Sequence, residues 1–76
     1  MAKTHIVEPK AIELLAFNVR KYRNEAKISQ TLLAELVGVR YSQIARIELG
    51  EINTSVSMIY LIAQALNIEP DLLLKK

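Results

Sequence analysis

The residues best able to do specific chemistry in this sequence stand around Arg46. On a helix, Tyr41, Ser42, Ala45, Arg46 and Leu49 share one face, because steps of three and four residues return to the same side. That face offers a guanidinium that can donate two parallel hydrogen bonds to a planar acceptor pair, a hydroxyl beside it, and a small residue that permits close approach. A second group, Arg20, Lys21, Arg23 and Lys27 against Glu25 alone, can attract phosphates or form a solvated charged face. Other chemistry is thinly provided. The one histidine, His5, stands near the N-terminus as a solvated residue, and there is no cysteine for a disulfide, a thiolate or a metal. The carboxylates are scattered, so no nucleophile–base constellation, metal site or glycine-rich phosphate loop can be drawn. The chain reads as a non-enzyme without cofactor.

The elements that must position these residues are helical almost throughout. Gly occurs only at 38 and 50, and no alternating run flanks a hairpin turn. Residues 1–9 read as an arm ended by Pro9, and residues 10–74 as one domain. From Lys10 to Lys27, Ile12, Leu15, Val19, Tyr22 and Ala26 make one apolar stripe. Ser29 caps a second helix, Gln30 to Val37, that carries Leu33, Leu36 and Val37, and Gly38 supplies the positive φ that ends it. A third helix, Tyr41 to Leu49, turns Ile44 and Ile47 inward and stops at Gly50. Ser55 caps a fourth, Val56 to Leu66, that buries Ile59, Ile62, Ala63 and Leu66. Asn67 ends it, and Pro70 opens a last short helix through Leu74. The fold class is all-α, with five helices.

Composition bounds the rest. Seventy-six residues, 51% of them apolar, suffice for one core and not two. The net charge of +2 is unevenly spread, and from Val39 onward Arg40, Arg46, Lys75 and Lys76 balance Glu48, Glu51, Glu69 and Asp71. No apolar secretory core follows Lys3. The most apolar stretch, Val56 to Leu66, is interrupted by Ser57 and Gln64 and is too short to span a bilayer. These features fit a cytoplasmic protein.

The segment from Arg20 to Leu73 resembles the lambda-repressor-like (Cro/CI, XRE) helix-turn-helix family. Ile28-Ser29-Gln30, Leu33-Ala34, Gly38-Val39, Ile44, Ala45-Arg46-Ile47-Glu48, Gly50 and Ala63-Gln64-Ala65-Leu66 carry the resemblance. It implies a five-helix DNA-binding domain of a transcriptional regulator, at work on the bacterial or phage nucleoid. The second and third helices form the DNA-binding unit, with the third in the major groove. A groove about 12 Å wide admits one short, polar-faced helix anchored from behind, and Tyr41 to Leu49 meets that description.

By position in the resembling motif, Arg46, Ser42, Tyr41 and Arg40 fall where base or adjacent backbone contacts are made, and Ala45 shares their helix face and is small enough to let the helix approach. Arg46 suits the O6 and N7 of guanine, and Ala45 suits a thymine methyl. Gln30, Gln43, Asn53 and Ser29 are the phosphate candidates, which would fix register rather than sequence. Arg23 and Glu48 match a pair that locks the third helix to the first. Arg40 takes the place of the usual Ser or Thr cap of the third helix, so that cap is absent or supplied by a neighbour.

The implied partner is double-stranded DNA, bound at an inverted repeat by a homodimer. The apolar surplus in Leu49, Ile52, Leu61 and Leu72-Leu73-Leu74 either completes the core or forms the dimer interface, for which Leu61, Ile68, Pro70 and Leu73 are the candidates. The alternative is a protein-interaction module on the same fold, with Leu49 and Ile52 in its contact surface. An antitoxin that binds a toxin and represses its own operon would combine the two.

Overall fold

The computed structural model describes residues 6–76. Four α-helices, α1 (Pro9–Glu25), α2 (Gln30–Val37), α3 (Tyr41–Glu48) and α4 (Val56–Leu66), are followed by a 3-10 helix (Pro70–Leu74). Lys3 and His5 lie outside the described residues. Among the described residues no strand forms, and no helix is long and apolar enough to cross a membrane.

The helix starts follow from local side-chain chemistry. Ser29 Oγ accepts from the Leu32 N–H at 3.0 Å and Ser55 Oγ from the Met58 N–H at 3.1 Å. Pro9 does not merely end the arm. It occupies the first turn of α1, where its missing N–H costs nothing, and the Glu8 carboxylate caps that turn through the Lys10 N–H at 3.1 Å. At α3, Arg40 provides no side-chain cap.

All four α-helices stop in the same way. One residue adopts the left-handed conformation, and the N–H after it reaches back five positions to a carbonyl of the last turn: Ile28 to Arg23, Val39 to Ala34, Glu51 to Arg46 and Ile68 to Ala63. The left-handed residues are Lys27, Gly38, Gly50 and Asn67. Glycine and asparagine are the usual choices. Lys27, at φ 60°, accepts the conformation against the ordinary penalty on a Cβ. The helix expected to run through Lys27 therefore ends at Glu25, and Ala26 is exposed.

The core is built from Leu15 and Val19 of α1, Leu33 and Ala34 of α2, Ile44 and Ile47 of α3, and Met58, Ile62, Ala63 and Leu66 of α4, closed by Leu73. Two expectations shift by a fraction of a turn. On α2, Ala34 is buried while Leu36 stands 56% exposed, and on α4 Met58 is buried while Ile59 only packs against the core's edge.

The fifth element corrects the sequence expectation twice. It is a 3-10 helix rather than an α-helix, since its five residues form a tight turn in which the Leu72 N–H bonds the Glu69 carbonyl at 3.1 Å. That turn drives Leu73 wholly into the core, so Leu73 offers nothing to a second subunit. Asn18 of α1, itself 4% exposed, holds the turn in place. Its Nδ2 donates to the Leu73 carbonyl at 3.0 Å and to the Lys75 carbonyl at 2.8 Å. Asn18→Ala should cost about 1–3 kcal/mol, because a buried carbonyl loses its donor and Leu73 loses its anchor. Urea unfolding checks this; a midpoint equal to wild type would show that the turn holds without the amide.

Candidate nucleic-acid interface

The sequence from Ser29 to Glu48 folds as helix, left-handed glycine turn, helix, and α2 packs directly on α3. α3 is strongly two-sided. Ile44, Ile47 and Glu48 are buried, whereas Tyr41, Ser42, Arg46 and Leu49 are exposed and Ala45 is half-buried. The face drawn from three- and four-residue spacing is thus an open surface that includes Arg46. Arg40 is exposed immediately ahead of the helix, and Gln43 is half-buried.

Glu48, buried behind that surface, is the best-held residue of the unit. Its carboxylate accepts from Arg23 Nε at 2.6 Å, from Arg23 Nη2 at 3.0 Å and from Gln30 Nε2 at 2.9 Å. Arg23 Nη1 also donates to the Ile28 carbonyl at 2.8 Å, and Arg20 Nη1 donates to the backbone carbonyl of Glu48 itself. One carboxylate therefore ties together the end of α1, the start of α2 and the end of α3. The hydrogen bonding of Arg23 to the Glu48 carboxylate raises the Arg23 pKa above its ordinary value; burial opposes this, and the opposite charge adds to it. A cation whose folded pKa is raised contributes stability that is complete below its unfolded pKa and is lost as pH rises through the folded one, so the Arg23 contribution is undiminished throughout neutral pH. Among the described residues no buried side-chain nitrogen or oxygen lacks a partner.

The phosphate candidates do not form one group. Gln30 spends an N–H on Glu48, which leaves its second N–H and its carbonyl oxygen for an outside ligand. Ser29 Oγ is engaged as the α2 cap, although the residue is exposed. Asn53 lies apart in the α3–α4 loop, exposed, with Nδ2 3.5 Å from the Ile6 carbonyl.

The basic group is divided, with Arg23 half-buried and Arg20, Lys21 and Lys27 exposed. Arg20 and Arg23 turn toward α3, and the Lys21 ammonium lies 4.9 Å from the centre of the Tyr22 ring. The role of Arg20 as a brace is not evident from charge alone. Its one sequence signal is the three-residue step that puts it on the same face of α1 as Arg23.

The apolar surface also divides. Ile52 is half-buried against the core, whereas Leu49 is 69% exposed. On α4 and the turn that follows it, Tyr60, Gln64, Asn67, Ile68, Glu69 and Pro70 line a groove, and Leu61 is 39% exposed.

Comparison with known proteins agrees with this geometry. The helix-turn-helix family profile matches residues 19–73. Control protein C.SmaI of Serratia marcescens is 44% identical over 55 residues, a stretch that covers 72% of this chain and 66% of that protein. The crystal structure of the restriction-modification controller protein C.AhdI from Aeromonas hydrophila superposes with a TM-score of 0.79 at 34% identity, over 82% of this chain and 94% of that one. That of the hypothetical transcription factor NHTF from Neisseria superposes with a TM-score of 0.84 at 25% identity, over 99% of this chain and 87% of that one. With the fold, the two-sided α3 and the family match in agreement, this chain belongs to the XRE-type helix-turn-helix family of DNA-binding transcriptional regulators.

Proposed function

We propose that this protein is a sequence-specific regulator of transcription that binds double-stranded DNA as a homodimer, with one α3 in the major groove of each half of an inverted repeat. The observation that carries the proposal is the division of α3 into a buried, clamped side and an open side bearing Arg46, Ser42 and Tyr41. A reading helix needs both, since its base contacts are only as specific as its placement is rigid. Arg46, with Ser42, Tyr41, Arg40 and Ala45, contacts bases; Gln30 through its free N–H, with Gln43, Asn53 and Ser29, faces phosphates. The groove from Tyr60 to Pro70, with Leu61, is the dimer surface. Kinship with two control proteins favours the controller of a restriction–modification locus, acting in the cytoplasm on the nucleoid, over an antitoxin.

Selection from a random DNA pool, followed by titration of the enriched site against salt, tests this. An inverted repeat should emerge, and log affinity should fall linearly with log salt. A dimer that makes six to ten phosphate contacts would lose roughly 10³–10⁵ in affinity between 50 and 200 mM salt. If nothing is enriched and a protein partner is bound with no salt dependence, the fold serves as an interaction scaffold instead.

A further inference from the structure

Leu49 is an apolar side chain, 69% exposed, on the same face of α3 as the polar residues assigned to base contact. A single exposed leucine is ordinary. What distinguishes Leu49 is how firmly its backbone is held while its side chain is left outside. Its N–H bonds the Ala45 carbonyl at 3.0 Å, and its φ and ψ of −89° and −4° keep it in helical conformation. The residue before it is gripped through its carboxylate by Arg23 and Gln30 and through its carbonyl by Arg20. The residues after it are fixed by the Gly50 N–H on the Ile47 carbonyl at 3.1 Å and the Glu51 N–H on the Arg46 carbonyl at 3.0 Å. Leu49 thus leaves the helix three positions after Arg46, four after Ala45 and seven after Ser42, with its backbone freedom already lost before any ligand arrives.

In a major groove lined by hydrogen-bonding edges, the apolar feature a leucine can recognise is the C5-methyl of thymine. Three helical residues advance about 4.5 Å and each base pair rises about 3.4 Å, so a residue three past Arg46 reaches roughly one or two base pairs further along the groove. We propose that Leu49 is a specificity-determining residue that packs on a thymine C5-methyl one or two base pairs from the guanine paired with Arg46. This rests on α3 lying in the major groove, as proposed above.

The test uses the selected site and replaces each symmetric thymine pair in turn by deoxyuridine, which removes only the methyl. Wild-type protein is compared with Leu49→Ala, whose fold is checked by thermal melting. At one thymine of each half-site, the replacement should weaken wild-type binding about four-fold per methyl, or about fifteen-fold for the symmetric pair, and leave Leu49→Ala unaffected. On the unmodified site, Leu49→Ala should show at least the loss that wild type shows on the modified one. If wild type binds its site but tolerates deoxyuridine everywhere, the inference is overturned while the DNA-binding proposal stands. If every methyl effect persists undiminished in Leu49→Ala, those methyls belong to other residues such as Ala45, and the inference is overturned as well. Failure of wild type to select any sequence overturns both.

Discussion

Glu48→Ala should lower the unfolding free energy by about 3–5 kcal/mol, the cost of stranding one partner of a buried ion pair. The side chains of Glu48 and Arg23 are only 3% and 14% exposed, so water cannot readily replace the lost carboxylate. The substitution removes more than one contact: both Arg23 bonds and the Gln30 bond end on those two oxygens. For a domain of 76 residues total stability is roughly 4–11 kcal/mol, so the variant should melt far below wild type or be partly unfolded at room temperature. DNA affinity should fall with it, because the clamp holds the end of α3 against α1. Glu48→Gln gives the graded comparison. It keeps the shape and one acceptor oxygen for Arg23, and should fall between wild type and Glu48→Ala in both melting temperature and affinity. Wild-type melting with lost DNA binding in Glu48→Ala would show instead that the carboxylate acts on DNA and not on the fold.

How much of this could be read from sequence depends on how far each interaction reaches. Ser29 and Ser55 announce their caps because a cap joins a side chain to a backbone N–H three residues on. Gly38, Gly50 and Asn67 announce their turns because residue type limits φ locally. Lys27 makes the same turn with no compositional sign, so the end of α1 could not be placed from its residues. Periodicity blurs on α2, whose eight residues give barely two turns in which to separate the buried Ala34 from the exposed Leu36.

The site shows the same division. The open face of α3 follows from spacing within eight residues, whereas Arg23 and Glu48 stand 25 residues apart and only the family resemblance connects them in the sequence. Asn18 is further out of reach, with its partner carbonyls 55 and 57 residues away. Within the run Leu72-Leu73-Leu74, the choice of Leu73 as the core residue is made by the 3-10 turn, which hydropathy does not encode.

Arg46→Ala separates placement from reading, and its effect should be large on DNA and negligible on the fold. Arg46 is exposed, and its backbone carbonyl, which accepts from Glu51, survives the substitution. Melting should therefore stay within about 0.5 kcal/mol of wild type. A bidentate arginine–guanine contact contributes about 1–3 kcal/mol of discrimination, and a symmetric site contains it twice. The loss for a dimer on an inverted repeat is then roughly 30-fold to 20,000-fold. Its pattern is as informative as its size. A base contact predicts that one symmetric guanine position relaxes while the rest of the selected site persists. A phosphate contact predicts a uniform loss over all sequences and a salt slope shallower by about one per arginine. Arg46→Lys should fail to restore the lost position, since an ammonium cannot present the paired N–H groups of the fork. Restoration by lysine together with a shallower salt slope in the alanine variant would place Arg46 on the phosphate backbone and leave Ser42 and Tyr41 as the polar residues of this face that read sequence.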